Sequence, residues 1–484
     1  MKWEKFSASL ISLLFLIGCA VGPDFVRPKP PPVERYTPGE EPSTTISADG
    51  RAQTFEPGAE VAADWWHIFD SSKLDSVIKE AIRNNQNLQA AQASLRQSQE
   101  NLTAGYGVFY PQVDGNFGVS RQKFSPVKFG ATSSGNIFNL YTLSATVGYT
   151  LDIFGGQRRA VESMSAQVDF QHYTVLATYL ALTGNITNTL IAQGAYSDQI
   201  KATEEIISLE KNQIRITEAQ AQAGTIPYAN VLSLRTQVAA TEATLPPLKQ
   251  KLNQAEHLLA TLVGRAPSEW TSPQISLTDL TLPADLPVSL PSELIHQRPD
   301  ILASEAQLHS ASANIGVATA ALFPNLTLSG TYGVNNNSIS DLFKSVSGFW
   351  SLGADLTAPL FHGGTLWFQR KAAIEGFQQS LANYRQSVLT AFAQVADTLR
   401  ALEHDAETLQ AQAQALDASE QALRLVQANY RAGIAGYVQL LIANDQYQQA
   451  KIGFLQARAQ RFQDTVALFV ALGGGWWNAQ KGPG

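Results

Sequence analysis

The chain has 484 residues, 44% hydrophobic and only 15% charged, with 41 acidic against 34 basic side chains and a formal net charge of −7. That charged fraction is well below the roughly 25% of ordinary soluble proteins, and a mildly acidic chain without a basic patch argues against nucleic acid as a partner. The lone cysteine, Cys19, excludes an intramolecular disulfide and a cysteine-built metal cage, the seven histidines are scattered, and no phosphate loop, dinucleotide fingerprint or nucleophile elbow is present, so neither an enzyme nor a resident metal or cofactor is expected.

In chain order, Lys2 and Lys5 precede a charge-free stretch from Phe6 to Gly18. It is too short to span a bilayer comfortably and suits a secretory signal over 1–18. The stretch ends in Leu16-Ile17-Gly18-Cys19, the pattern of a bacterial lipobox, in which the cysteine sulfur is acylated and becomes the mature N-terminus. Ala20, rather than an aspartate, in the second mature position favours the outer membrane. Residues 19–72 then form a lipidated, extended arm, whose Pro, Gly, Glu and Thr over 20–63 predict no core of its own.

The remainder is one unit written twice. Phe109-Tyr110-Pro111 recurs as Leu322-Phe323-Pro324, and Phe154-Gly155-Gly156 as His362-Gly363-Gly364. Ala223-Gly224-Thr225 recurs as Ala432-Gly433-Ile434, and Leu262-Val263-Gly264 as Ala471-Leu472-Gly473. Offsets of 213, 208, 209 and 209 residues, in the same order, mark a duplication: a first repeat over 73–264, a Pro-rich irregular connector over 265–292, a second repeat over 293–475 and a short tail, 476–484.

Each repeat contains two stretches of strict alternation. Tyr141, Leu143, Ala145, Val147, Tyr149 and Leu151 interleave with Thr142, Ser144, Thr146, Gly148, Thr150 and Asp152, and Trp350 to Leu360 repeats the pattern. Val113–Ser120 and Leu326–Val334 alternate likewise. Strands of this length with one greasy and one polar face suit an outer-membrane barrel, though a water-soluble antiparallel sheet alternates in the same way.

The helices carry more information. Positions 388, 392, 395, 399, 402, 406, 409, 413, 416, 420, 423, 427 and 430 step by four and three and are almost all apolar, a coiled-coil seam over several heptads. From the turn at Gly364 this helix has room for some 65 residues, or about 100 Å at 1.5 Å per residue. A second helix returns along Leu440, Ala443, Tyr447, Ala450, Phe454 and Ala457. Its counterpart runs along Val231, Leu234, Val238, Thr241, Leu245, Leu248, Leu252, Ala255, Leu259 and Leu262, where Pro246-Pro247 predicts a kink or an outward deflection. Four strands cannot close a barrel without unpaired edges, which lipid does not tolerate, so several chains must combine. Three give an even, twelve-strand barrel. Helix faces rich in Gln, Ser, Thr and Asn suit the wet wall of a channel.

With these features the chain resembles the TolC-type outer-membrane efflux proteins, in the lipoprotein branch around OprM and NodT of resistance–nodulation–division pumps. The match rests on Cys19-Ala20-Val21-Gly22-Pro23-Asp24-Phe25, Asp64-Trp65-Trp66, Asn84-Asn85, Tyr110-Pro111, Phe154-Gly155-Gly156, Gln297-Arg298-Pro299-Asp300, Phe323-Pro324, Tyr430-Arg431-Ala432-Gly433 and Leu472-Gly473-Gly474-Gly475-Trp476. The resemblance implies a mixed α/β membrane protein: a homotrimer with a twelve-strand outer-membrane β-barrel, four strands per chain, continued by a long periplasmic α-helical barrel. It implies lodging in outer-membrane lipid and docking, through a periplasmic adaptor, to an inner-membrane resistance–nodulation–division transporter. This chain would be the passive exit duct. A duct for type I secretion or metal-ion efflux is the alternative, and a lipid-anchored coiled coil without a pore is a remoter one.

The family closes its duct where the helix pairs turn back, through polar contacts and acidic rings. The corresponding segments are 224–230 and 430–445, with Tyr228, Tyr430 and Arg431 as the candidates for latching one helix to another. Positions where relatives carry acids hold Asn230, Gln439 and Ile442, and the nearest carboxylate is Asp445. The expectation is a weakened acidic ring and a gate leaning on apolar packing around Val438 and Ile442.

Overall fold

The computed structural model describes residues 20–39, 43–123, 125, 130 and 137–479. Cys19 and the signal segment lie outside the described residues. The described residues form two compact units, one from those within Met1–Pro28, Leu95–Gln171 and Ser304–Tyr384, the other from those within Lys29–Ser94, His172–Ala303 and Arg385–Gly484. The elements follow in the order β1 (Thr54–Pro57), α1 (Ser72–Asn84), α2 (Gln86–Gly105), β2 (Gln112–Lys123), β3 (Ile137–Leu151), α3 (Gly156–Gln222), α4 (Tyr228–Glu242) and α5 (Leu245–Val263). After them come β4 (Asp285–Val288), α6 (Pro291–Gln297), α7 (Pro299–Ala320), β5 (Asn325–Asn336), β6 (Gly348–Thr357), α8 (Thr365–Arg431) and α9 (Tyr437–Ala471).

The first unit holds an antiparallel sheet in the order β2-β3-β5-β6. Its register places Val113 opposite Val147, Phe117 opposite Leu143, Ala145 opposite Tyr332, Tyr332 opposite Trp350 and Gly330 opposite Leu352. Successive side chains point to opposite faces, so this register gathers most apolar positions of the four strands on one face, Phe138, Leu140 and Phe349 excepted. Thr142, Ser144, Thr146, Thr327, Ser329, Thr331, Ser351 and Asp355 share the other. β6 stops at Thr357 rather than continuing to Leu360 because Pro359 has no amide hydrogen to donate to a ladder.

In the second unit the predicted seam of α8 is the buried line: Val388, Val395, Leu399, Leu402, Ala406, Leu409, Leu423 and Tyr430 are all inside. α3 and α8 are both 67 residues long. The proline pair disturbs the return helix, as the sequence suggested, while Ala243 and Thr244 keep right-handed helical angles. It divides the return helix into α4 and α5, with a turn at Ala243–Thr244 and both prolines in the first turn of α5. Proline's missing amide is harmless there, since no intrahelical partner exists for it. In the second repeat the return helix carries no proline, and α9 runs 35 residues unbroken.

The arm also departs from expectation. It has no separate core, but Phe55, Val61, Trp65, Trp66 and Phe69 are buried against the second unit's helices, Trp65 stacking on Phe469 at 5.5 Å. A composition rich in Pro and Gly conceals these few large apolar residues. The connector is likewise less irregular than expected, since β4 pairs in parallel with β1 of the arm. The turn of the arm is pinned to α9 by the buried Arg461, whose guanidinium donates to the Gln53 side-chain oxygen at 3.0 Å, to the Ala48 and Arg51 carbonyls at 3.2 Å and to Thr45 Oγ1 at 3.2 Å.

Candidate functional site

Two features can serve transport: the strand faces and the turns where the long helices reverse. On the sheet, Val113, Phe117, Val119, Tyr332, Trp350, Leu352 and Leu356 are exposed although all lie on the apolar face. A contiguous apolar surface of this kind signals contact with lipid or another protein. The strands are 12, 15, 12 and 10 residues long, enough to cross a hydrocarbon core at about 9–11 residues per tilted strand. β2 and β6 are the two edges.

The two helix reversals are built alike. α3 ends with Gly224 at φ 74° and α8 with Gly433 at φ 76°, a left-handed conformation that glycine adopts without steric cost. In the first, Thr225 N–H donates to the Gln220 carbonyl at 3.0 Å; in the second, Ile434 N–H donates to the Asn429 carbonyl at 2.8 Å. Both are the six-to-one bonds of a Schellman cap.

The expected gate residues divide into one interior contact and an exposed set. Tyr430 is buried in an apolar cluster with Leu423, Leu440 and Ala443, and its hydroxyl lies 3.4 Å from Thr217 Oγ1 on α3. It therefore links the two hairpins within one chain. Arg431 does not: it is exposed at the last turn of α8, where its charge complements the helix dipole, and among the described residues of one chain no carboxylate pairs with it. Tyr228, the first residue of α4, is 56% exposed, and Asn230 contributes only its backbone N–H, to the Pro227 carbonyl at 3.1 Å. Gln439 caps α9, its side-chain oxygen accepting the Gly436 N–H at 2.6 Å, so it is not free to replace a missing acid. Val438, Ile442 and Asp445 are all exposed and, four and three residues apart, share one face of α9.

Sequence reasoning missed a neighbouring carboxylate. Glu210 of α3 is 2% exposed, accepts from Thr241 Oγ1 at 3.4 Å, and its second oxygen has no hydrogen-bond partner. Burial pushes its carboxyl above the usual range, against the pull of Thr241 and Gln237, and the negative charges of Asp445 and Glu242 add to the rise. The signal that could have found it is its place at a heptad spacing along α3.

The family model for outer membrane efflux proteins matches residues 77–265 and 290–474, once for each repeat. The chain belongs to the outer membrane efflux protein family. Among relatives of this efflux protein, the pyoverdine export outer membrane protein OpmQ of Pseudomonas aeruginosa is 30% identical over 422 residues, covering 86% of this chain and 88% of OpmQ. The probable outer membrane lipoprotein SilC of Salmonella typhimurium is 27% identical over 97% of this chain and 98% of its own. The outer-membrane channel OprN has the same fold with a TM-score of 0.85, at 27% identity over 95% of this chain and all of OprN. The efflux protein therefore resides in the outer membrane and reaches into the periplasm. Its fold is that of the trimeric channels, each chain supplying four strands to a twelve-strand barrel and its long helices to a helical barrel.

Proposed function

We propose that the protein is the exit duct of a tripartite efflux assembly, conducting small molecules passively from a periplasmic adaptor and an inner-membrane transporter to the outside. One observation carries the reading: a four-strand sheet with one apolar and one polar face and two unpaired edges. Such a sheet satisfies its backbone in lipid only by joining copies of itself, and closure turns the polar faces toward a water-filled lumen. On this reading the energy comes from the inner-membrane transporter. OpmQ supports a small exported molecule as cargo, and SilC supports acylation at Cys19, which would add a lipid anchor to the barrel. The chain divides, on this reading, into a signal, a lipidated arm, two repeats and a connector with the boundaries the sequence suggested.

Crosslinking in cells from a photoreactive residue at position 435, beside the second reversal, tests the assembly. Capture of an adaptor encoded with a drug-efflux transporter is the expected result. Capture of a secretion or metal-export adaptor would keep the fold and change the cargo, and conductance absent from purified trimers in planar bilayers would overturn the duct itself.

The gate, on this reading, closes at the two reversals, with Tyr430 as the interior latch and Val438 and Ile442 presented to neighbouring copies. Tyr430→Phe removes one hydroxyl contact, costing about 0.5–1.5 kcal/mol, and should raise the entry of a bulky antibiotic such as vancomycin into cells. Entry no greater than in the parent would remove Tyr430 from the gate.

A further inference from the structure

The residues that follow Cys19 are held in place by the first unit. Val21 N–H donates to the Phe154 carbonyl at 3.0 Å. The side chain of Arg159, buried at the start of α3, reaches Asp24 at 2.6 Å, Glu162 at 2.7 Å and the Val21 carbonyl at 3.4 Å. Phe25 stacks on His309 of α7 with ring centroids 4.4 Å apart, and Arg27 Nε bonds Glu305 at 2.6 Å. Ala20 is pressed so closely on the loop between β3 and α3 that a Cβ at Gly155 would stand 2.6 Å from its Cα. Only glycine leaves room for that approach. Ala20, the residue that follows the proposed lipid attachment point, is thereby held at this loop.

Beside the same loop lies a cleft of about 270 Å³, its apolar lining formed by Ile153, Phe154, Val317, Ala320, Phe323 and Pro324. Phe154 and Phe323, equivalent neither in repeat position nor in element, stack on each other in its wall at 4.6 Å. Its rim is polar: Thr150, Asp152, Gln157 and Asn325. Asp152 is already engaged, accepting the Gln157 and Arg158 backbone N–H groups at 3.1 and 2.9 Å. The cleft thus joins an apolar interior to the ends of two strands, β3 at Leu151 and β5 at Asn325, whose apolar faces meet lipid.

We propose that this cleft is the seat of an acyl chain carried by Cys19, so that one chain of the anchor lies against the protein where strands give way to helices and not in the bilayer. The inference rests on the acylation of Cys19 in the proposed function. The fixed segment Ala20–Arg27 supplies the argument for this occupant: a chain tethered beside the cleft meets it at high effective concentration, ahead of any diffusing lipid.

The test uses the full-length protein from cells fed a fatty acid with a photoreactive group near its end. The trimer is purified in detergent until phospholipid is removed, then irradiated and digested. The expected product joins the acylated N-terminal peptide to peptides carrying 152–157 or 317–324, and it should be lost in Ala320→Trp, which fills the cleft. The wild-type crosslink stands without the variant, whatever that substitution does to folding. Labelled Cys19 whose adducts are with detergent alone would overturn the seat while leaving acylation intact. An unlabelled Cys19 would overturn acylation and the seat together, and adducts confined to the outward side chains of β2 to β6 would assign the chain to the bilayer.

Discussion

Along α3 the buried positions of the first hairpin mix polar with apolar, Gln199, Thr203, Glu210, Gln213 and Thr217 beside Ile200, Ala202, Ile206 and Ile207, whereas those of α8 in the second are, Thr398 aside, apolar: Leu399, Leu402, Ala406, Leu409, Leu423 and Tyr430. The spacing is the same coiled-coil step in both, and the caps that end the helices are the same. The stitching differs accordingly. In the first hairpin, ion pairs cross from α3 to its return helices: Lys211 to Glu242 at 2.6 Å, Arg235 to Glu218 at 2.7 Å and Lys249 to Glu204 at 3.1 Å. In the second, the contacts across the reversal are the apolar ones around Leu423, Tyr430, Leu440 and Ala443. Duplication conserved the geometry of a helix pair while leaving its filling free. A polar filling can exchange one hydrogen bond for another, or for water, at little cost; an apolar one resists separation.

The largest effect should come from the apolar side. Leu440 is fully buried, and Leu440→Ala should cost about 2–5 kcal/mol. Amide exchange around residues 423–443 should then accelerate strongly with the first reversal unaffected. Equal acceleration in both hairpins would show that the two fillings are not independent.

Buried carboxyls give the next effect, and here the hairpins can be compared by pH. In the second, burial, followed by the neighbouring Asp464 carboxylate, pushes Asp405 up to about 8, with the Arg461 charge pulling the other way. In the first, burial raises Glu210. A carboxyl whose folded value is raised binds its proton more tightly in the native state, so the stability it confers is present below the unfolded value and is lost as pH rises through the folded one. For Asp405 the window runs from the ordinary 3.8 to about 8. Asp405→Asn should therefore flatten the melting temperature of the protein between pH 5 and 9, relative to the parent. Glu210→Gln should do the same for amide exchange in the first hairpin alone. A pH profile unchanged by Asp405→Asn would mean that Asp405 is already ionised in the native protein.

Smallest is the ion-pair stitching. Each of the three pairs has an exposed cation, and such pairs contribute about 0–1 kcal/mol each. Arg235→Gln should loosen the first reversal only slightly in exchange measurements at low salt, and molar salt should erase the difference from the parent. A large, salt-resistant loss would show that Arg235 packs rather than pairs.

Period is what made most of this fold legible in the sequence. Alternation over 141–151 and the four-three step over 388–430 announce themselves because a strand and a helix repeat apolar residues at different intervals. The seam of α3 is harder to read for the same reason: Gln, Thr and Glu hold most of its four-three positions, with Ile206 the apolar one among them. The parallel pairing of β1 with β4 joins Thr54 to Asp285, and no local pattern encodes a partner so far along the chain. Pro246-Pro247 marked a disturbance but not its form, because whether prolines kink a helix or begin a new one depends on the turn before them. At the reversal, Tyr430 was legible as an interior aromatic at a seam position. Arg431 was legible as a cation only, its position in the assembly depending on neighbouring copies.

The open edges of the strand sheet have a consequence for the life of the protein before it works. A single copy presents a greasy face to water and two rows of unanswered backbone groups, the features by which chains recruit one another into aggregates. Newly exported chains thus race between meeting two siblings at a membrane and meeting any other sticky strand on the way. Assembly from three chains depends steeply on concentration, so the cell's supply of duct should respond to synthesis rate more than proportionately. A periplasmic escort that covers those strands would act here as a component of transport capacity, even though it never touches the cargo.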